Sequence, residues 1–236
     1  MSLTITIPPS CLAWVHAIEP KLHPAQISIF GKSLFVYWLE WSRDKGYTTL
    51  TIKTTHPLSD EEYFHNFATL YEITLDYQVV EEIDEDLLED DTHKFGLGIF
   101  FDDGSYQRFE GLDALLSFED KMLHHDLKYS AAVGYGRHKD VLIGKESYVH
   151  PSVNLIGPVI IGDNCVLEEG VVIEDSVIND NVIIKRGSTI IDSHVGRNLK
   201  LLHPIYLNNK ALFQEHIYDQ TTKETLMHTN VCESAK

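Results

Sequence analysis

The sequence predicts two folds in series: an α/β domain over residues 1–140 and an all-β, left-handed parallel β-helix over residues 141–210, with a short helix and polar tail at 211–236. Two observations carry this. From Ile143 onward an aliphatic residue returns at nearly every sixth position, with glycine, asparagine and aspartate in between. Ahead of that point, β-branched runs alternate with amphipathic helical ones, the pattern of a largely parallel sheet layered with helices.

In the first domain, residues 3–7 (LTITI) alternate and read as a strand, as do residues 26–30 (QISIF), which end at Gly31. Residues 33–46 read as an amphipathic helix, with Leu34, Trp38 and Trp41 on one face and Gly46 as its stop signal. A β-branched strand follows at 48–55. Ser59 with Glu62 forms a capping-box pattern that opens a helix through residue 72. Strands are expected at 75–83 and 97–101, and a helix at 112–127. The acidic run at 84–91 reads as a solvated loop, because a metal site needs carboxylates converging from separate elements.

Written in sixes from Ile143, the first position holds Ile143, Val149, Leu155, Ile161, Leu167 and Ile173. After a five-residue step it holds Ile178, Ile184 and Ile190, and after another, Val195. Both short steps contain Asp-Ser, at Asp175-Ser176 and Asp192-Ser193. The fifth position is small or aliphatic, with His194 the exception. One hexad makes a short strand and a corner, three close a triangular coil, and coils stack at roughly 4.8 Å. First and fifth positions then point inward, while glycine, asparagine and aspartate tolerate left-handed backbone at the corners. A β-sandwich would alternate with period two and hold no phase of six. No coil buries its core alone, so several must stack. Residues 211–220 (ALFQEHIYDQ) are expected to form the short helix, and the remainder a loose tail.

The formal charge is −17, and residues 1–140 carry −13 of it, with 24 acids against 11 bases. Such a surface repels phosphate backbones and anionic lipid, which argues against nucleic acid and membrane surfaces as partners. Cys11, Cys165 and Cys232 are far apart and have no C-x-x-C spacing, so neither a disulfide framework nor a zinc ribbon is expected. With no basic-then-apolar leader and no apolar run long enough for a bilayer, a cytoplasmic location without membrane insertion is expected.

Residues 23–41, HPAQISIFGKSLFVYWLEW, carry Gly31-Lys32, Leu34, Tyr37 and Leu39-Glu40 at telling places. This segment resembles the K-P-x-x-P-V-x-G-K-P-L-I-E-Y-x-L-E stretch of sugar-1-phosphate nucleotidyltransferases, such as the mannose-1-phosphate guanylyltransferases and their inactive relatives. LIGPVIIGDNC and the two Asp-Ser steps look like that family's β-helix. The resemblance implies a sugar- or phosphate-binding role for Gly31, Lys32 and His23, the last standing where the family has a lysine. It implies magnesium binding at Asp102 and Asp103, which follow the strand LGIFF.

The departures are as informative. The family's glycine-rich loop, G-G-x-G-x-R-L, cradles nucleotide phosphates on backbone N–H groups. The corresponding stretch is LAWVHAIEPKLHP, without glycine or arginine, and the domain is much shorter than the usual catalytic one. Nucleotidyl transfer depends on positioned charge and backbone donors. The expected function is therefore that of a catalytically impaired sugar-nucleotide pyrophosphorylase-like protein. It would bind a sugar phosphate, a nucleotide-sugar or a partner enzyme in nucleotide-sugar or surface-polysaccharide metabolism, most simply as a homo-oligomer. Catalytic residues are not assigned. One alternative is an active nucleotidyltransferase with a different phosphate cradle and magnesium. Another is a hexapeptide-repeat acyltransferase, in which His150, His194 or His203 would act as general base.

Overall fold

The computed structural model describes residues 1–19, 21–83, 92–125, 136–138, 140–214, 216–227 and 231–234. The acidic run at 84–91 lies outside these residues. The protein is mostly β with an N-terminal α/β region. Its contacts divide it into two compact units, Met1–Leu115 and Leu116–Lys236.

The first unit opens with β1 (Ser2–Ile7) and α1 (Pro9–Ile18), followed by a 3-10 turn at Pro24–Gln26. Next come the short strands β2 (Ser28–Ile29) and β3 (Lys32–Ser33), then α2 (Leu34–Asp44), β4 (Thr49–Thr54), α3 (Glu61–Leu70) and β5 (Thr74–Val79). The unit closes with β6 (His93–Phe95), β7 (Leu97–Phe100), β8 (Tyr106–Phe109) and the start of α4 (Leu112–His125). Four parallel strands form the sheet in the order β5-β4-β1-β6. Alternation places Leu3, Ile5 and Ile7 of β1 in the core beside Leu50 and Ile52 of β4. Helical side chains Phe35, Trp38 and Phe64 fill the space above, with Phe35 and Phe64 ring centroids 4.6 Å apart.

Two local expectations are corrected here. Strand 26–30 shortens to a hairpin in which Ile29 pairs with Lys32 across Phe30 (φ 52°) and Gly31 (φ 75°). Two left-handed residues in a row suit the twist of a two-residue turn. The α3 cap is Asp60, whose Oδ1 accepts from Tyr63 N at 3.1 Å, in place of the Ser59–Glu62 box. Helix α1, for which the sequence carried no assigned element, starts at Pro9, where proline's missing N–H is harmless.

In the second unit the strands pair in parallel with themselves one coil later. Val141 faces Val159 and Tyr148 faces Val166, an offset of 18, while Val166 faces Ile183 and Val177 faces His194, an offset of 17. The change occurs between Ile156 and Val159, where Gly157-Pro158 stand against the single residue Asp175. The five-residue steps seen in the sequence are these shortened corners. Left-handed residues form rows: Glu146, Asn164, Asn181 and Asn198 on one corner, Gly157, Asp175, Asp192 and Asn209 on another, and Gly170 with Gly187 on the third. Inside lie the phased aliphatics, among them Ile161, Leu167, Ile173, Ile184 and Val195, all fully buried. Cys165 joins them, and burial pushes its thiol up to about 12.

The helix expected at 211–220 is absent. Lys210–Leu212 continues the stack, with Ala211 and Leu212 opposite His194 and Val195, one phase further on. The chain then reverses into antiparallel strands His216–Asp219 and Glu224–Met227. Asp219 makes the second turn by accepting from Thr221 N and Thr222 N. The expected loose tail also contains a strand, Cys232–Ser234, antiparallel to Leu199–Leu201. The hexad phase outlasted its obvious aliphatics, and Ala211 was too small to advertise it.

Candidate functional sites

In the first unit, the chain leaves β1 for β4 and β5 on one side and places β6 on the other. The carboxyl ends of β1 and β6 therefore flank the point where strand order reverses, the usual binding crevice of an open α/β sheet. A cavity of about 340 Å³ lies there, bounded by Pro8, Ser10, Cys11, Phe95, Arg108 and Glu110. The turn entering it is Pro8-Pro9. Proline has no N–H, and the Cys11 N–H is spent on Pro8 O at 3.0 Å. A helix start that could hold phosphate has lost most of its donors. The Arg108 guanidinium faces Glu110 at 2.9 Å.

Lys32 Nζ lies 2.5 Å from Glu40 Oε2 and 3.9 Å from the Tyr37 ring centroid, with its side chain 14% exposed. Glu40 also accepts from Tyr71 Oη at 3.0 Å, and burial and that carboxylate push the Tyr71 hydroxyl up to about 12. Gly31 serves the hairpin turn. His23 is 1% exposed. Its Nδ1 accepts from Ala25 N at 3.2 Å, so Nε2 carries the proton and donates to Tyr77 Oη at 2.8 Å; Tyr77 in turn donates to His56 O at 2.7 Å. Burial first, then the neighbouring His56 and His16, lower its pKa to about 4. Both nitrogens are engaged within the fold, leaving no edge for a substrate.

Asp102 and Asp103 sit on the exposed turn between β7 and β8. Asp103 Oδ1 accepts from Ser105 N and Oγ, which holds its carboxyl below the usual range, and Asp102 O accepts from Lys45 Nζ. Magnesium needs oxygen ligands converging in an octahedron. Among the described residues no group of three His, Cys, Asp or Glu side chains converges for a metal, and at this turn the Asp103 carboxylate is already engaged by Ser105.

The three coil histidines occupy separate places. His203 is exposed, and half-buried His150 accepts on Nδ1 from Ser152 N at 3.2 Å. His194 is 7% exposed and lines a cavity of about 460 Å³ together with Glu119, Asp120, Asp175 and Asp192. Asn179 Nδ2 donates to His194 Nε2 at 2.9 Å and to Val195 O at 3.2 Å. Nε2 is thus an acceptor and the ring proton sits on Nδ1. That nitrogen faces Glu119 Oε2 at 2.9 Å but out of line for a hydrogen bond. With Nε2 committed to an amide, His194 is not placed as a general base. Glu119 was missed in the sequence, although a signal existed: it stands between Leu116 and Leu123, both buried, on the apolar stripe of α4.

Among the described residues no helix is long and apolar enough to cross a membrane. Residues 137–233 match the family model described as the GMPPB C-terminal domain, the β-helix part of sugar nucleotidyltransferases. No curated protein matches the chain significantly.

Proposed function

With its coil matched to the C-terminal domain of a sugar nucleotidyltransferase, we propose that this chain is a sugar-nucleotide pyrophosphorylase-like protein whose transfer chemistry is strongly impaired. It binds a nucleotide-sugar, a sugar phosphate or a partner enzyme, in nucleotide-sugar or surface-polysaccharide metabolism in the cytoplasm, as a homo-oligomer. In this reading the coil winds left-handed, as the six-residue phase suggests, and the N-terminal unit is a shortened catalytic domain.

The observation that carries the proposal is the Pro8-Pro9 turn at the switch point of the sheet. Preorganised donors at the developing charge are the main device of phosphoryl chemistry, and two prolines withhold them. Lys32 tied to Glu40, and His23 tied to Tyr77 and Ala25, remove two further candidates.

Thermal-shift titrations with GTP and magnesium, mannose 1-phosphate, GDP-mannose and acetyl-coenzyme A test the reading, alongside a pyrophosphate-release assay. Stabilisation by a nucleotide-sugar of roughly 2.7 kcal/mol at a hundredfold excess over Kd, without turnover, is the expected result. Turnover at an ordinary enzymatic rate of about 1 s⁻¹ or more overturns the impairment. Stabilisation by acetyl-coenzyme A alone moves the assignment to acyl transfer.

A further inference from the structure

Two histidines of the first unit meet without any role in the nucleotidyltransferase reading. His16 stands in the last turn of α1, and His56 lies just past the end of β4. Both are half-buried, and their ring centroids are 5.0 Å apart with the planes at 57°. Leu22 O orients the His16 ring, 3.2 Å from Nε2. A carbonyl oxygen only accepts, so Nε2 carries the proton and Nδ1 keeps its lone pair. No described residue hydrogen-bonds that Nδ1 or either ring nitrogen of His56. His56 is fixed through its main chain: its N–H donates to Thr54 Oγ1 at 3.2 Å, and its carbonyl accepts from Tyr77 Oη at 2.7 Å. The neighbouring His23 spends both nitrogens on Ala25 and Tyr77.

We propose that His16 and His56 form a two-imidazole site for a divalent transition-metal ion of the zinc, nickel and copper class, with the remaining positions open to water. Imidazole nitrogen is the ligand these ions favour. The spacing fits one shared ion. A metal–nitrogen bond of about 2.0–2.1 Å, with about 1.2 Å more from nitrogen to ring centre, puts two rings at a square or tetrahedral angle about 4.5–5.2 Å apart. A carbonyl on the far nitrogen, as Leu22 O is for His16, fixes the tautomer of a metal-binding histidine and raises its basicity. The ligands come from a helix and a strand exit tied down by hydrogen bonds, which holds the pair in place before an ion arrives. The acidic excess of residues 1–140 favours a cation. Magnesium, which takes oxygen ligands, does not suit the pair. The site is independent of the N-terminal cavity and stands whether or not that cavity binds a nucleotide.

The test is titration of the full chain with copper(II), read by tryptophan fluorescence, which copper quenches at short range. Trp14 shares α1 with His16. Quenching should saturate with a Kd below about 100 μM, and excess zinc, which does not quench, should reverse it. H16Q keeps an amide N–H for Leu22 O, and H56Q removes no described hydrogen bond. Each variant should melt like wild type without metal and bind copper about tenfold more weakly or worse. Pulsed EPR of the wild-type copper complex needs no variant and should count two imidazoles on the ion. Quenching that fails to saturate up to about 1 mM, quenching unchanged in the folded variants, or a complex with one imidazole or none would each overturn the proposal.

Discussion

The turn after β1 and the corners of the coil solve opposite problems. At the coil corners the backbone must bend left-handed, and the sequence supplies Gly157, Asp175, Asp192 and Asn209 in one row and Asn164, Asn181 and Asn198 in another. These residues keep their N–H groups and spend them on the coil itself; Asn181 N, for example, donates to Asp163 O at 2.8 Å. At the β1–α1 turn an open sheet would present such groups to an anion, and Pro8-Pro9 supplies none. Turn chemistry is thus maintained where it holds the scaffold and withdrawn where it would hold a phosphate. The same contrast separates two buried histidines. His23 is locked among Ala25, Tyr77 and Phe64, whereas His194 keeps one nitrogen beside a carboxylate at a cavity wall.

Four experiments sharpen the comparison. The largest effect is expected in the coil interior, where Ile184→Ala should cost about 2–5 kcal/mol, read as a lowered urea midpoint of the β signal. The fluorescence transition of Trp14, Trp38 and Trp41, which all lie in the first unit, should move less. If both transitions shift together, the units unfold as one.

Next come acid titrations. His23 has its pKa lowered to about 4 in the fold, against about 6.5 unfolded. Between these values the unfolded chain holds a proton that the folded chain does not. Stability from this group is therefore complete above about pH 6.5 and is lost as pH falls towards 4, by on the order of 3 kcal/mol. Tryptophan fluorescence melts at stepped pH read this directly. The coil should respond with the opposite sign. Burial raises Asp180 to about 6, so in that window the folded form binds the extra proton, and the coil gains stability as pH falls through 6. Asp180→Asn keeps an acceptor for Asp163 N and should stabilise the coil at neutral pH by about 1–2 kcal/mol, flattening its pH dependence. Equal pH slopes for the two units would break the comparison.

The smallest effect is expected at a corner. Asn181→Ala puts at φ 57° a residue that tolerates left-handed backbone less well than asparagine, and it removes the bond from Asn181 Nδ2 to Asn198 Oδ1. It should cost about 1–2 kcal/mol, whereas Asn181→Gly should cost less, in chemical denaturation at neutral pH.

These contrasts also explain what could be read in the sequence. The coil was legible because its signal is repeated: one aliphatic phase and two Asp-Ser steps, each reporting the same geometry. The helix α2 was legible because Leu34, Trp38 and Gly46 agree. The helix α1 was not, since Pro8-Pro9 interrupt the pattern just where it opens, and the closing strands were not, since Ala211 carries almost no hydrophobic signature. Gly31, Lys32 and His23 were read as a surface for ligands, and burial by Glu40, Tyr37 and Tyr77 is a tertiary fact that no local pattern announces. Glu119 illustrates the converse. Its place on an apolar stripe was visible, but its partner lies 75 positions away at His194.

The offset of 17 that begins at Asp175 gives the coil a fixed unit of growth. The strands at 216–219 and 232–234 run against the stack and terminate it, so another chain's strand meets no open parallel edge at those positions. Lengthening in evolution comes most directly from within, by duplication of a whole rung, because an insertion inside a strand would turn the inward row outward, and a single extra residue is absorbed only at a corner, as at Gly157-Pro158 against Asp175. The molecule is in that sense a ruler graduated in single coils: its length can change by steps, and its register cannot drift.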